Sequence, residues 1–467
     1  MAAAAIFLLA SSVASAVEAD APIRISLSED RGARPVSPDF LGLSYETREV
    51  LLQNGRYYFD PEDSRLVSLF ATLGVRSLRI GGNAVDDLRV PVPLERDIDS
   101  LFRFARAAKV KVIYSFRLRD GDPALAARLA GYIHAHYADC LDCFCIGNEP
   151  DKYLKTYPAY LAAFVPEYEA ILKAVPSAQF EGPAGADWTY AVQFASDYFA
   201  RGHLKMASAH SYPLGGGRAA EQHPALALKQ FMAAESLAES EKFNRDTCAP
   251  LAGKGIPYRM DEANSCWDGG ARGASDAYAS ALWGFEYLNW WAAHHIAGIN
   301  FHTGDSVNGN PPMAANYAAF VHDAGRGGFA VRPLAYGMLA FSQVAMGTPL
   351  TARQIGTPVP ELSAYAYATE NEVRVALINR SYGDSGRTLN VSLELPRMGA
   401  AGTWMRMDLT QKGSDVSAKG DIELGTSGIT PDGIWGGKWR PLAASGSPLT
   451  VNVAGASVAL LRFRAIP

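Results

Sequence analysis

The first three quarters of the chain alternate between two patterns of apolar residues. Short runs rich in Val, Ile, Tyr and Phe predict buried strands, and stretches with an apolar residue every three or four positions predict helices. The predicted strands are Phe40–Glu46, Ser77–Gly82, Lys111–Leu118, Cys143–Glu149, Gln179–Gly185, Met206–Pro213, Pro257–Asn264 and Gly298–Gly304. The predicted helices include Pro61–Leu73, Asp97–Ala108, Pro123–Tyr137, Thr156–Val175, Ser275–His295 and Pro333–Met346. Eight strand–helix repeats are typical of a (β/α)8 TIM barrel, here predicted over residues 36–346.

After Gly347 the pattern changes to alternating apolar and polar residues between Gly, Pro and Ser, which predicts a C-terminal antiparallel β-sandwich domain. Its predicted strands are Leu362–Thr369, Glu372–Asn379, Thr388–Leu395, Gly402–Leu409 and Leu449–Phe463. Ile23–Ser28 also alternates and is predicted to add an edge strand, so the sandwich comprises residues 23–35 and 347–467. We interpret this domain as a structural support for the barrel, with sugar binding as the alternative.

The amino-terminal segment has the pattern of a targeting signal. Met1–Ala16 combines an apolar run with an A-x-A-like site at Ala14-Ser15-Ala16, which predicts a signal peptide within residues 1–19. A disordered apolar tail is the alternative. A signal peptide implies a secreted or periplasmic protein. The apolar stretch Ala281–Phe301 is interrupted by polar residues, including Glu286, and predicts a buried helix rather than a membrane span.

Composition excludes several classes of protein. Of 467 residues, 48% are hydrophobic and 19% charged, which is ordinary for a folded soluble chain and excludes general disorder. The net charge of −5 gives no indication of nucleic-acid binding. A large core accounts for most of the 8 Trp, 21 Tyr and 20 Phe, and an aromatic carbohydrate cleft is the second interpretation.

The cysteines do not form a recognisable metal motif. Cys140, Cys143 and Cys145 are spaced C-x-x-C-x-C, but no second pair supplies a fourth zinc ligand, so we predict no metal and no cofactor. Cys145 lies on a predicted buried strand. Disulfides Cys140–Cys143 and Cys248–Cys266 are both possible in a secreted chain, and the odd number leaves the pairing open.

Two strand ends offer a pair of carboxylates. Barrel enzymes place catalytic residues at the carboxyl ends of strands, and these ends give the candidates Glu46, Asn83, Glu149, Tyr212, Glu262 and His302. Retaining glycosidases need two carboxyl groups about 5–5.5 Å apart, one as acid/base and one as nucleophile. Glu149 ends strand four and Glu262 ends strand seven, across the barrel mouth. Asp261 is the rival of Glu262, and since strand neighbours point to opposite faces, only one should face the site.

Several motifs resemble known enzymes. The run Asn148-Glu149-Pro150 at strand four, with Glu262 at strand seven, resembles the clan A glycoside hydrolases. Further segments resemble glycoside hydrolase family 79 across barrel and sandwich: Pro38–Glu46, Leu78–Asn83, Asn264–Gly270, Asn300–Gly304 and Arg332-Pro333 with Tyr336–Met338. That family contains β-glucuronidases and heparanases, both retaining. The resemblance implies that Glu149 is the acid/base and Glu262 the nucleophile.

The resemblance also implies roles in substrate binding. Asn148 would hydrogen-bond the sugar 2-OH, Tyr212 would orient the nucleophile, and Glu46 would bind hydroxyls in the −1 subsite. The N–H groups of Gly269 and Gly270 would receive the uronate carboxylate. The remaining predicted substrate-binding residues are Tyr317, Trp267, Asn83 and His302. The chain departs from the family in having Trp267 where Tyr is common, and in a longer loop at Asp305–Asn316.

These observations predict a retaining β-glucuronidase that acts at the non-reducing end of a glucuronic acid-containing glycoside. An endo-acting, heparanase-like enzyme on a glycosaminoglycan is the alternative, and a non-catalytic carbohydrate-binding protein is a third. Basic residues that could flank a cleft for a polyanion are Arg117, Arg119, Arg218 and Arg272, although loop charges are often simply solvated. We expect the pKa of Glu149 to be raised, mainly by Glu262. The sequence does not indicate an oligomeric state.

Overall fold

A computed structural model describes residues 21–30, 32–186, 189–304, 315–323, 325, 327–394, 402–442 and 448–465. The predicted signal peptide and residues 305–314 of the long loop lie outside the described residues.

The elements follow one another in the order that the two patterns predict. The described strands are β1 (Ile23–Glu29), β2 (Leu41–Glu46), β3 (Ser77–Gly81), β4 (Lys111–Phe116), β5 (Leu141–Ile146), β6 (Phe180–Gly185), β7 (Leu204–Ser211), β8 (Tyr258–Ala263), β9 (Gly298–His302), β10 (Phe320–His322), β11 (Phe329–Val331), β12 (Thr348–Ile355), β13 (Leu362–Ala368), β14 (Glu372–Asn379), β15 (Leu389–Glu394), β16 (Gly402–Gln411), β17 (Ile422–Leu424), β18 (Arg440–Leu442), β19 (Leu449–Val453) and β20 (Ser457–Ala465). The described α-helices are α1 (Ser64–Leu73), α2 (Glu95–Ala108), α3 (Pro123–Tyr137), α4 (Tyr157–Ala174), α5 (Thr189–Tyr198), α6 (Gly217–Glu221), α7 (Pro224–Met232), α8 (Ala238–Phe243), α9 (Ala249–Gly253), α10 (Tyr278–Ala293) and α11 (Pro333–Val344).

Strands β2 to β9 pair in parallel and close into a barrel in chain order, which confirms the predicted (β/α)8 fold. The strands are apolar runs because they are covered on both faces; every residue of β3, for example, is buried. The connections contain helices, and four short helices, α6 to α9, occupy the space between β7 and β8 where a single helix is usual. The carboxyl ends of all eight strands therefore meet at one mouth.

The sandwich strands form one hydrogen-bonded sheet of ten strands, in the order β17-β16-β20-β14-β13-β12-β1-β15-β19, with β18 beside β16. The sheet folds back on itself, because its apolar core joins β19 at one end to β14 and β20 in the middle. Two predictions are wrong. Ile23–Ser28 is not an edge strand, since β1 pairs with β12 on one side and in parallel with β15 on the other. The run Leu449–Phe463 is broken by a turn into β19 and β20.

The sandwich packs on the barrel through α10 and α11. Glu286 of α10 accepts hydrogen bonds from Arg380 and, at 2.6 Å, from the Ser363 hydroxyl, in a buried ion pair. The Tyr278 hydroxyl donates to the Ala456 carbonyl at 2.9 Å. These contacts explain why nearly every face of α10 is buried, although it connects two barrel strands.

Two further findings concern the described residues. Their helices include none that combines the length and the apolar character needed to cross a membrane. The five cysteines are buried free thiols, and burial raises the pKa of each, to about 11 for Cys140 and for Cys266.

Candidate active site

Two buried carboxylates face each other at the barrel mouth. Glu149 follows β5, the fourth barrel strand, and Glu262 lies near the end of β8, the seventh. One oxygen of each carboxylate and a ring nitrogen of His210 all lie within 4.8 Å of one another. Glu149 is 6% exposed and Glu262 5%. Carboxyl groups this close are in the range of retaining glycosidases, whereas inverting enzymes keep them about 6.5–9.5 Å apart to admit a water molecule.

The backbone after β5 turns sharply to present Glu149. Glu149 has a φ of 47°, in the left-handed region that residues other than glycine rarely occupy, and Gly147 has a φ of 86°. The turn is held by the Glu149 N–H, which donates to the Ala184 carbonyl at 2.8 Å, and by the Asn148 N–H, which donates to Asp86 at 2.8 Å. Such backbone strain persists only where the surroundings enforce it, and it is concentrated at functional sites.

Arg79 on β3 joins the two halves of the site, and the sequence analysis gave it no role. Its side chain is fully buried. Nη1 donates to Glu262 Oε2 at 2.8 Å and Nη2 donates to Asn148 Oδ1 at 2.7 Å. The available signal was an arginine between Leu78 and Ile80 in a predicted buried strand, since a charge in a barrel interior requires a partner there.

Asn148 is oriented by this contact. Because its Oδ1 accepts from Arg79, its Nδ2 is the group left to donate. Nδ2 is buried and has no hydrogen-bond partner among the described residues. A buried donor without an acceptor is costly, so this atom fits the predicted contact with a sugar hydroxyl.

Both acidic residues of β8 approach the site, contrary to the expectation that only one would. Asp261 is fully buried, with Oδ2 lying 3.4 Å from Arg79 Nη2 and 3.7 Å from His210 Nε2. The register of β8 shifts against β9 between Met260 and Ala263. A shift of this kind interrupts the strict alternation of faces. Glu262 hydrogen-bonds Arg79 and Tyr212 at the mouth, whereas Asp261 lies beside Glu181 and Cys145 in the barrel interior.

The surroundings of Glu262 favour its ionised form. Burial raises its pKa, but the positive charges of His302, His210 and Arg79 lower it by more. The net pKa therefore lies well below the usual range. The Tyr212 hydroxyl donates to Glu262 Oε1 at 2.7 Å, as the family resemblance implies. Burial lowers the pKa of His302, but the charge of Glu262 and the contact with Glu46 outweigh it, so that the net pKa is raised. His302 Nδ1 lies 3.7 Å from Glu262 Oε2 and 3.2 Å from the Ser44 hydroxyl.

The pKa of Glu149 is lowered, so the expected rise is wrong. Burial and the charge of Glu262 both raise it, but the hydrogen bond and charge of His210, with the charge of Lys152, outweigh them. His210 Nδ1 lies 3.1 Å from Glu149 Oε1. Burial lowers the pKa of His210, yet Glu262 and Asp261 raise it to about 10, so the imidazole is positively charged at neutral pH. His210 was predicted at a strand end that lines the cleft or holds a buried hydrogen bond, and its charge was not predicted.

Glu46 lines the opposite wall of the mouth. Its Oε2 accepts from the Ala84 N–H at 2.7 Å, and its Oε1 lies 3.7 Å from His302 Nε2. Gly82 has a φ of 66°, and a Cβ there would lie 2.5 Å from the Glu46 carboxylate, so the motif requires glycine. Asn83 is exposed and lines a cavity beside Glu149.

The predicted uronate pocket lies on the loop after β8. Asp268, Gly269 and Gly270 have successive φ angles of 59°, 80° and 81°. Within the described part of the chain, no hydrogen bond uses the N–H of either glycine. A Cβ at Gly270 would lie 3.0 Å from the Tyr317 ring, so that ring packs directly on this turn. The Tyr317 ring lies 6.3 Å from that of Tyr212 and is 5% exposed.

Trp267 is the exposed aromatic residue of this loop. Its side chain is 51% exposed, while its backbone N–H donates to the Gly215 carbonyl at 3.0 Å and its carbonyl accepts from Gly217 at 3.0 Å. The indole lies over Gly216, where a Cβ would be 3.1 Å from Nε1. An aromatic ring that faces solvent, on a backbone held by two hydrogen bonds, is suited to stack on a sugar or aryl ring.

A cavity of about 420 Å³ opens beside Glu149. Its lining residues are Asn83, Asp86, Asp87, Leu88, Arg89, Arg119, Asn148, Glu149, Lys152 and Tyr153. Among the predicted cleft cations, Arg119 lies here, whereas Arg117 donates to the carbonyls of Val85, Asp87 and Val90 and supports the loop. Arg218 and Arg272 are exposed and are not among the residues that line this cavity.

Comparison with known proteins agrees with this description. No family model matches the chain. A β-glucuronidase of Aspergillus niger is 28% identical over 150 residues, a match that covers 31% of this chain and 26% of that relative. The match thus spans about a quarter of the relative's length. It agrees with the resemblance to family 79.

Solved structures share the whole architecture. A 4-O-α-L-rhamnosyl-β-D-glucuronidase from Fusarium oxysporum is 18% identical, with a TM-score of 0.73 over 94% of this chain and 100% of that chain. A GH51 arabinofuranosidase from Xanthomonas axonopodis is 15% identical, with a TM-score of 0.65 over 95% and 100%. At these identities the likeness establishes the fold of a barrel with an attached sandwich.

Proposed function

We propose that this protein is a retaining glycoside hydrolase that cleaves β-glucuronides. The observation that supports this most directly is the buried pair of Glu149 and Glu262, whose oxygens lie within 4.8 Å across the barrel mouth. That separation leaves room for the anomeric carbon between nucleophile and acid, and no room for the extra water of an inverting mechanism. The β-glucuronidase relatives support the choice of sugar.

In the first step, Glu262 attacks the anomeric carbon while Glu149 donates its proton to the glycosidic oxygen. The bond to the leaving group breaks, a glycosyl ester of Glu262 forms, and the leaving group departs as a neutral alcohol. Arg79 and Tyr212 hold the nucleophile ionised and aim one oxygen at the carbon, because they donate to Oε2 and Oε1 respectively. Asn148 Nδ2 donates to the sugar 2-OH, a contact that strengthens in the transition state.

In the second step, Glu149 removes a proton from water, which attacks the anomeric carbon and releases Glu262. The low pKa of Glu262 makes it a good leaving group here, and the negative charge that raised the pKa of Glu149 is absent while the ester exists. His210, which lies 3.1 Å from Glu149, then favours the carboxylate that acts as base. The product has the same anomeric configuration as the substrate.

Selectivity for a uronate rests on the loop after β8. The N–H groups of Gly269 and Gly270 and the hydroxyl of Tyr317 form a set of neutral donors beside the −1 subsite. A hydroxymethyl group would leave buried donors unpaired, at about 1–3 kcal/mol each. Two such losses correspond to roughly a hundredfold discrimination against the glucoside, taking about 1.4 kcal/mol per factor of ten.

An endo-acting enzyme on a glycosaminoglycan is the second candidate. The observation that favours it is the cavity beside Glu149, which is open toward solvent and lined by Arg89, Arg119 and Lys152. Cations here suit a charged polymer on the leaving-group side. Release of oligosaccharides from heparan sulfate would favour this candidate, and release of monosaccharide alone would favour the first.

The test of the proposal is hydrolysis of an aryl β-glucuronide beside the matching aryl β-glucoside. We expect kcat/KM to be about a hundredfold higher for the glucuronide, and proton NMR at early times to detect β-glucuronic acid as the first product. Equal rates would refute the uronate assignment, and an α product would refute retention. Absence of hydrolysis would instead favour a carbohydrate-binding role. Export is a separate proposal, which amino-terminal sequencing of the mature protein would test.

A further inference from the structure

Both oxygens of the acid/base carboxylate have a cationic partner, one buried and one exposed. Glu149 Oε1 faces His210, whose side chain is 1% exposed. Glu149 Oε2 accepts from Lys152 Nζ, whose side chain is 58% exposed. His210 is enclosed by the barrel, whereas the ammonium of Lys152 can leave into solvent at little cost. The two oxygens are therefore not equivalent.

The oxygen held by Lys152 faces the place where a leaving group must lie. Glu149 and Lys152 both line the 420 Å³ cavity, whereas Glu262 is not among its lining residues. A general acid must have one oxygen within hydrogen-bond distance of the atom it protonates. Since Oε1 is occupied by a buried cation, Oε2 is the oxygen that can carry the transferred proton.

We propose that Lys152 is a positioning residue that holds the cavity-facing oxygen of Glu149 in the free enzyme and gives it up when a leaving group enters. This inference rests on the proposed glycosidase function. The lysine keeps the carboxylate turned toward the cavity before substrate binds, and its departure leaves Oε2 free to take a proton and donate it to the glycosidic oxygen.

Other charged groups lie near Glu149, and the proposal requires none of them to move away when a leaving group enters. His210 on β7 and Glu262 on β8 face it directly, and Arg119 and Asp86 line the cavity. Asp86 is fully engaged, because it accepts from the backbone N–H groups of Leu118, Arg119 and Asn148 and from the Tyr153 hydroxyl. Lys152 is the exposed cation that hydrogen-bonds the acid/base directly.

The test compares two pH profiles. The basic limb of kcat/KM reports the free enzyme and that of kcat reports the complex. An adjacent cation lowers a carboxyl pKa by about 1–3, and exposure of Lys152 places its effect near one. In Lys152→Met the kcat/KM limb should therefore move up by about one pH unit, while the kcat limb stays. The difference in pH between the basic limbs of kcat/KM and kcat should therefore become smaller. The difference that is left should come from the charge of the bound substrate.

Matched variants separate this role from a structural one. Lys152→Arg keeps the cation and should keep the wild-type limb. Lys155→Met removes a nearby exposed lysine, which donates to the Asp151 carbonyl, and should leave both limbs unchanged. Added salt should raise the kcat/KM limb of the wild type and not that of Lys152→Met, because screening weakens an exposed pair. Thermal unfolding should be unaltered in all three.

An unchanged kcat/KM limb in Lys152→Met, or loss of folding in Lys152→Met and Lys152→Gln alike, would overturn the inference. The profiles use whichever aryl glycoside the wild type hydrolyses. A wild type that prefers a glucoside therefore refutes the uronate assignment alone, and a wild type that hydrolyses none refutes both proposals.

Discussion

Replacing Arg79 by lysine should weaken the binding of the sugar 2-OH by Asn148 and leave Glu262 ionised. Arg79 contacts Glu262 through one nitrogen and Asn148 through the other. A lysine keeps the positive charge, but its single nitrogen does not reproduce the two arms of the guanidinium. We expect the charge to remain with the carboxylates and the contact to Asn148 Oδ1 to be lost. The amide is then free to turn, and Nδ2 no longer points reliably at the sugar 2-OH.

The expected size follows from the contact that is lost. A hydrogen bond between Asn148 Nδ2 and the sugar 2-OH that is no longer made costs about 1–3 kcal/mol, which corresponds to a decrease in kcat/KM of roughly 5- to 150-fold at about 1.4 kcal/mol per factor of ten. Arg79→Met should decrease kcat/KM much more than Arg79→Lys does. It leaves Glu262 and Asp261 buried without their arginine, and removal of one partner from a buried ion pair costs about 3–5 kcal/mol. Loss of the cation also raises the pKa of Glu262, so the acidic limb of the profile moves up.

The assay is steady-state hydrolysis of an aryl β-glucuronide and of its 2-deoxy analogue by the wild type and Arg79→Lys. If Arg79 acts through Asn148, the penalty of the lysine variant should nearly vanish with the 2-deoxy substrate, which has no 2-OH to bind. Asn148→Ala should behave in the same way. An equal penalty with both substrates would refute the argument that Arg79 orients Asn148. An acidic limb that moves up in Arg79→Lys would refute the claim that lysine preserves the ionisation of Glu262.

Three further outcomes are expected. Glu262→Ala should abolish turnover of the aryl glycoside, and azide should restore part of it with the inverted glycosyl azide as product; near-normal activity without azide would exclude Glu262 as nucleophile. Glu149→Gln should reduce kcat/KM for poor leaving groups by about 10²–10⁴-fold and by much less for activated aryl groups, so equal losses would contradict its role as acid. Arg380→Leu should lower the free energy of unfolding, measured in urea, by about 3–5 kcal/mol, because it leaves the buried Glu286 without its ion-pair partner. The double variant with Glu286→Leu should recover much of this loss.

The barrel was predictable from the sequence because its pattern is local. Each strand is a short apolar run covered on both faces, and each helix has its own periodicity, so neither depends on distant residues. The position of β1 was not predictable in this way. It lies between β12 and β15, both more than 300 residues away along the chain, and an alternating strand has the same pattern in the middle of a sheet as at its edge.

In the candidate site, too, local features were predictable and features that depend on distant residues were not. The Asn148-Glu149-Pro150 motif and Glu262 are strand-end residues that sequence alone indicated. Arg79 was missed because its role depends on partners from two other strands. The approach of Asp261 depends on a register shift in β8 that no local pattern encodes. The direction of the Glu149 pKa depends on a sum of charges in space, in which His210 outweighs Glu262.

The charge of the substrate should also act on the pKa of Glu149. The protein's own charges lower the pKa of Glu149, although the proposed acid must be protonated to act. A bound uronate brings a further negative charge beside Glu262, and a nearby like charge raises a carboxyl pKa. Under the proposed function, a glucuronide would therefore help to protonate Glu149, and a neutral glucoside would not. We expect the basic limb of kcat to lie at higher pH for the aryl glucuronide than for the glucoside with the same leaving group. Coincident limbs would refute this coupling, because the leaving group and the enzyme are identical in the two measurements.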